Sequence, residues 1–283
     1  MVVVASAQID PKLGQKGENL DRCLTFISEA AKEKAKLVVF PECTLTGYGF
    51  ESREEAIPFS EPVPGPSTIK IVEACKKIGL YTIVGLLERV GDEVYNSTVL
   101  IGPEGIISAY RKIHLPFLGV DRFVKHGNIP FHVDSITLAK VGMAICYDFR
   151  FPESGRVLAL EGAEIIALST NWPEGVELNP DHLVRTRAYE NRLFVVASNR
   201  VGVEGGVRFI GRSQIVNPEG MVLAEALPEG EEIIFASIEP AKAGEKDVIN
   251  IPGVWEVYLF KDRRPDFYKA ICRDIESYPS KKS

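Results

Sequence analysis

The chain has 283 residues, 45% of them hydrophobic, enough to bury a sizeable core and too many for a disordered chain. Against 33 Lys+Arg stand 39 Asp+Glu, a formal net charge of −6 with the signs interspersed, which argues against nucleic acid or anionic lipid as the main partner. No stretch approaches the roughly 18–20 apolar residues of a membrane helix, so no membrane partner is expected.

In chain order, VVVASAQI (2–9) reads as a strand. The opening MVVVASAQID has no basic n-region and is not read as a signal peptide. Residues 18–35 read as an amphipathic helix, with Leu20, Cys23, Leu24, Ile27 and Ala30 spaced for one face. LVVF (37–40) is a buried strand ending at Pro41-Glu42. Pro66 or Ser67 opens a helix over 66–78, and YTIVGLLE (81–88) is the next strand. EVYNSTVLIG, a PEG turn at 103–105 and IISAYRKIHL read as a hairpin-like pair. The Asn96-Ser97-Thr98 sequon inside it is read as incidental, because secretion is not expected.

KVGMAI leads as a strand into Cys146, and YDFRFPESGRVLALEGA reads as a turn opening a helix. AEIIALSTNWP ends another strand at Asn171 and Trp172, and 185–192 is a helix. The Gly-rich VGVEGGVRFIG (201–211) lies between strands and lacks a GK[ST] ending, so a hairpin loop is predicted rather than a phosphate cradle. PEG recurs at 218–220 between QIVN and MVLAEAL, again strand–turn–strand. The repetition predicts two similar βαβ halves in an α/β fold with a mixed sheet. From 241 onward the periodicity weakens.

Three reactive residues stand where apolar, β-branched runs give way to polar loops: Glu42, Lys112 and Cys146. Cys146, at a strand-to-helix turn, is expected to be an exposed nucleophile whose pKa the helix N-terminus lowers. Glu42, directly after LVVFP, is expected to be desolvated and poised as a general base. The alternation of IISAYRKIHL points Lys112 toward a buried pocket, where its ammonium would face a developing oxyanion together with the Tyr147 N–H. Tyr48, Asn171 and Trp172, also at strand ends, are candidate substrate contacts with Tyr147. Arg150 suits either a substrate carboxylate or a structural ion pair. Cys23, Cys75 and Cys272 fall in helical patterns and read as structural; Cys43 has no base of its own. Five cysteines without CxxC spacing suit reduced thiols in a cytoplasmic protein. Four scattered histidines without HExxH give no metal site.

The words around these residues are VVFPECTLTGY, AYRKIHLP and MAICYDFRFPE, followed by ENRLFVVASNRVG, GRSQIVNPEG and RRPDFY. In this order they resemble the nitrilase superfamily of carbon–nitrogen hydrolases over nearly the whole chain. The resemblance implies one domain over 1–283, a four-layer α-β-β-α sandwich, with a tail (241–283) packing on a neighbouring subunit of a homo-oligomer. It implies a Glu42 base, a Lys112 electrophile and a Cys146 nucleophile acting through a thioester on a small molecule, with no cofactor. Many members place a second glutamate between the lysine and the cysteine. From Ile113 to Ile145 this chain has none, so Asp121 is the candidate substitute, with Val120 as the alternative position. Tyr147-Asp148 stands where enzymes acting on nitriles commonly have Trp-Glu and is similar to the amidase and ω-amidase-like branches. An amide substrate is therefore expected over a nitrile, and an N-carbamoyl substrate would use the same groups. All three groups are present, which weighs against an inactive regulatory homologue.

Overall fold

Alternation along β1 (Val2–Gln8) gives its two faces different work. Ala5 and Ala7 join an apolar cluster beneath helices, whereas Ser6 Oγ donates to Ala197 O (2.9 Å) and Gln8 Oε1 accepts from Ser213 Oγ (3.1 Å) in a second sheet. The computed structural model describes residues 1–273, which fall into two compact units, Met1–Gly244 and the residues from Glu245 on.

In the first unit, α1 (Lys16–Lys32) buries Leu20, Cys23, Phe26, Ile27 and Ala30 along one stripe. After β2 (Leu37–Val39) and the short α2 (Arg53–Ala56) comes α3 (Pro66–Ile78). It opens on Pro66 behind Gly65, whose N–H donates to Thr68 Oγ1 (2.8 Å), and stops at the left-handed Gly79 (φ 76°). Then β3 (Tyr81–Val90), β4 (Glu93–Gly102) and β5 (Gly105–Arg111) run as an antiparallel meander. The second half contains β6 (Val133–Ser135), β7 (Lys140–Ile145), α4 (Pro152–Leu160), β8 (Ile165–Thr170), α5 (Val184–Asn191) and β9 (Phe194–Asn199). It continues with β10 (Val203–Glu204), β11 (Val207–Arg208), β12 (Gln214–Val216), β13 (Val222–Glu225) and β14 (Glu232–Ile238).

Two six-stranded sheets result, in the orders β14-β1-β2-β3-β4-β5 and β13-β12-β9-β8-β7-β6. Each has three parallel strands at its centre, joined by βαβ crossovers, with antiparallel strands outside them. The two halves repeat one topology, as the recurring PEG turns predict. The sheets meet through small hydroxyls, which allow close approach: Ser169 Oγ donates to Phe40 O (2.8 Å) and Ser198 Oγ to Ala7 O (2.5 Å). Helices α1 and α3 cover one outer face, and α4 covers the other, with Leu158 packed on Gly142 of β7. This is a four-layer α-β-β-α sandwich. Residues 201–211 form the predicted hairpin loop, β10 pairing with β11 across Gly205 and Gly206, both at positive φ (58° and 78°).

The turn expected after Cys146 is present: a 3-10 turn spans Cys146–Arg150, and the helix α4 follows from Pro152. Pro152 disfavours helical geometry at Phe151 (φ −92°, ψ 114°), so the backbone must break before α4.

The second unit holds the hairpin β15 (Asp247–Ile251) and β16 (Trp255–Tyr258), then 3-10 turns at Pro265–Phe267 and Lys269–Cys272. Residues 274–283 of the tail singled out from sequence lie outside the described residues. Among the described residues no helix is long and apolar enough to cross a membrane.

Candidate active site

The parallel strands β2 and β7 and the antiparallel β5 end at Glu42, Cys146 and Lys112 respectively, and the sandwich brings these ends together. Lys112 Nζ lies 2.6 Å from Glu42 Oε1 and 2.5 Å from Asp121 Oδ2, and all three side chains are fully buried. Two carboxylates thus face one ammonium in a space without water screening. An ammonium has three donors, and these partners use two.

Asp121 sits in a 3-10 turn, Gly119–Arg122, whose Gly119 (φ 49°) packs so tightly on Tyr48 that a Cβ would meet the ring at 2.3 Å. The Asp121 carboxylate therefore reaches the lysine from a backbone drawn inward. Val120, the alternative position, is apolar and buried, with its N–H on Tyr48 O (2.8 Å). Tyr48 OH donates to Asp121 Oδ2 (2.8 Å), which places Tyr48 behind the lysine.

Burial pushes the Glu42 carboxyl up, and the Lys112 charge pulls it down without cancelling the effect. Burial pulls Lys112 down, but Asp121 and Glu42 outweigh it and hold the ammonium well above its ordinary range. Cys146 keeps part of its surface exposed, but its thiol does not follow the lowered pKa expected from sequence. Burial first, then the Glu42 charge, push its thiol well above the ordinary range; Lys112 and the Asn171 N–H pull the other way. The helix α4, whose N-terminus was expected to lower it, starts only at Pro152, after the 3-10 turn Cys146–Arg150. The raised pKa favours the thiol over the thiolate. Glu42 Oε2, buried and without a hydrogen-bond partner, is the acceptor available.

The turn that presents the thiol is pinned by Asp148. Its carboxylate accepts from Ile145 N (3.0 Å), Tyr110 OH (2.8 Å) and His114 N (3.1 Å), and its Oδ1 lies 2.8 Å from His114 Nδ1. Cys146 itself holds a left-handed φ of 43°, a conformation that costs a non-glycine residue on the order of 1–2 kcal/mol. In the first turn of the 3-10 helix the Tyr147 N–H has no acceptor within that helix. The Tyr147 ring stands edge-on to Phe151 at 5.2 Å.

Asn171 follows β8, the neighbour of β7 in the same sheet. Its N–H faces the Cys146 thiol, its Nδ2 donates to Glu42 O (3.0 Å), and its buried Oδ1 has no partner. Trp172 is buried, with its N–H on Asn199 Oδ1 (2.7 Å). Arg150 is exposed. Two residues escaped the sequence reading. Asp148 was read only as a marker of substrate class. Asn96 was set aside as a sequon, yet it is buried in β4 and touches both Glu42 and Asp121. The signal for it was there: a polar NST triplet inside an otherwise apolar strand.

The Carbon-nitrogen hydrolase family profile matches residues 3–246. A protein of Pyrococcus abyssi (strain GE5 / Orsay) named nitrilase is 38% identical over 271 residues, 95% of this chain and 99% of that one. The omega-amidase of Homo sapiens is 33% identical over 89% of this chain and 92% of its own. An (R)-stereoselective amidase of a Pseudomonas species is also 33% identical, over 85% and 86%. Among solved structures, an amidase from Nesterenkonia sp. superposes with a TM-score of 0.79 over 95% of this chain and 96% of that one, at 22% identity. That likeness is one of fold.

Proposed function

This chain belongs to the nitrilase superfamily of carbon–nitrogen hydrolases, and from that premise we propose that it hydrolyses a small linear amide through a thioester on Cys146. The observation that carries the reading is a buried Glu42–Lys112–Asp121 cluster close enough to the Cys146 thiol to act on its charge, with one Glu42 oxygen unpaired.

The steps follow from the charges. Glu42 Oε2 takes the thiol proton as Sγ attacks the amide carbonyl carbon, so the cluster's net charge does not change. Release of the same proton to water would leave an extra buried anion. The carbonyl π electrons move onto oxygen, which Lys112 Nζ and the Tyr147 N–H stabilise; one such donor contributes on the order of 3–4 kcal/mol. Glu42 hands its proton to the departing nitrogen as the C–N bond breaks, leaving the thioester. It then takes a proton from water, whose oxygen attacks the thioester carbon; the C–S bond breaks, the acid leaves, and Glu42 returns the proton to Sγ. Asn171 Oδ1 is suited to accept the amide N–H before cleavage, which favours amides over nitriles, since a nitrile has no such hydrogen.

The hairpin β15–β16 exposes Trp255 and Val254, which supports the expectation that the tail packs on another copy. The central test is mass spectrometry of wild-type protein acid-quenched during turnover of small aliphatic amides, ω-amides, N-carbamoyl amines and nitriles, beside ammonia release. A mass gain mapped to Cys146 names the acyl group. An adduct on another cysteine, or nitriles turning over while amides do not, would overturn the reading.

A further inference from the structure

One residue touches each charged member of the cluster. Asn96 lies in the middle of β4, and its carbonyl accepts the Lys112 backbone N–H (2.9 Å). Its Nδ2 donates to Glu42 Oε1 (2.7 Å) and to Asp121 Oδ1 (2.8 Å), and its Oδ1 accepts from Cys43 Sγ (3.4 Å). With two carboxylates on one side and a thiol donor on the other, the amide can sit only one way round. Its two hydrogens serve two acids, which a hydroxyl or a single N–H cannot do.

Two consequences follow for the reaction proposed above, on which this inference rests. Glu42 Oε1 already accepts from Lys112 and Asn96, so its lone pairs are committed and Oε2 alone is left to face the thiol. A proton on Oε1 or on Asp121 Oδ1 would point at the Asn96 NH2, donor against donor. Two buried acids beside one ammonium would otherwise tend to share a proton between them. We infer that Asn96 is a positioning residue of the hydrolase, holding both acids as acceptors and confining the travelling proton to Glu42 Oε2. The groups facing Glu42 here are Lys112, Asp121, Cys43 and Cys146, with Tyr48 behind Asp121.

The test compares wild type with Asn96→Leu, which removes both donors, and Asn96→Asp, which keeps the shape. Two readouts are taken across pH: hydrolysis of a small amide, and the rate at which iodoacetamide alkylates Cys146, followed on its peptide by mass spectrometry. Both variants are expected to lose on the order of 10- to 100-fold in each rate at neutral pH, the range for losing a hydrogen bond to a charged group. The acid limb of each profile is expected to move to higher pH, because Glu42 loses a donor that favours its ionised form. A uniform loss with unmoved limbs would overturn the inference and leave Asn96 a structural residue. If one variant fails to fold, the other decides. Should wild type hydrolyse no amide, the proposed substrate falls, while the alkylation profiles still judge Asn96.

Discussion

Lys112 Nζ lies 2.5 Å from Asp121 Oδ2, and neither side chain reaches solvent. The lysine is thereby held between two acids, and only one of them, Glu42, has an oxygen left over. That asymmetry fits the roles proposed for them, Asp121 as anchor and Glu42 as the reacting acid.

Asp121→Asn preserves shape but removes one counter-charge. The Asp121 charge helps hold the Glu42 carboxyl up, so its loss lets Glu42 ionise at lower pH. The acid limb of kcat/KM should therefore move down, while kcat falls roughly 10- to 100-fold as the lysine loses its charged anchor. A pH–rate series on an amide substrate checks both. A limb that moves up would refute the assignment.

Glu42→Gln should abolish hydrolysis without weakening the fold. A carboxyl raised on folding binds its proton more tightly folded than unfolded. It therefore supports the fold at acid pH, and that support is lost as pH climbs above the ordinary carboxylate range. Lys112 keeps Asp121 as its partner in the variant. Thermal melts are expected to place the variant at or above wild type at neutral pH, with the gap shrinking toward acid. A variant melting well below wild type at neutral pH contradicts this.

Asp148→Ala should cost about 3 kcal/mol in urea unfolding, because Tyr110 OH and the Ile145 N–H lose a buried acceptor together. Activity should fall further than stability, since the turn carrying the thiol is no longer fixed. A cost below about 1 kcal/mol would mean that the turn holds itself.

Asn171→Leu removes the unpaired acceptor and also the bond to Glu42 O. Loss of the second harms every substrate alike. Loss of the first harms only those with an N–H, so the rate on an amide should fall several-fold more than on an ester of the same acid. Equal losses on the two would remove Asn171 Oδ1 from substrate recognition.

Much of the scaffold was legible because its signals are local. Apolar spacing fixes α1, Gly65-Pro66 and Gly79 bound α3, and the two PEG turns mark corresponding corners of the two halves. Glu42, Lys112 and Cys146 declare themselves by standing at strand ends. Asp121 was legible only as a substitute, since nothing in LGVDRFVKHG says that Gly119 lets the backbone close on Tyr48. The turn before α4 was legible as well, because Pro152 restrains Phe151 and opens the helix behind it.

From its order of residues alone, this chain determines where strands end and which reactive groups stand there, because periodicity and turn chemistry act over a few neighbours. What those groups are once assembled was decided by the packing of two sheets. Burial turned an expected thiolate into a thiol, and a strand asparagine that looked like a surface sequon became the contact between two acids. Protonation and hydrogen-bond partners depend on the water removed and the charges brought near, and both come from residues far apart in the chain.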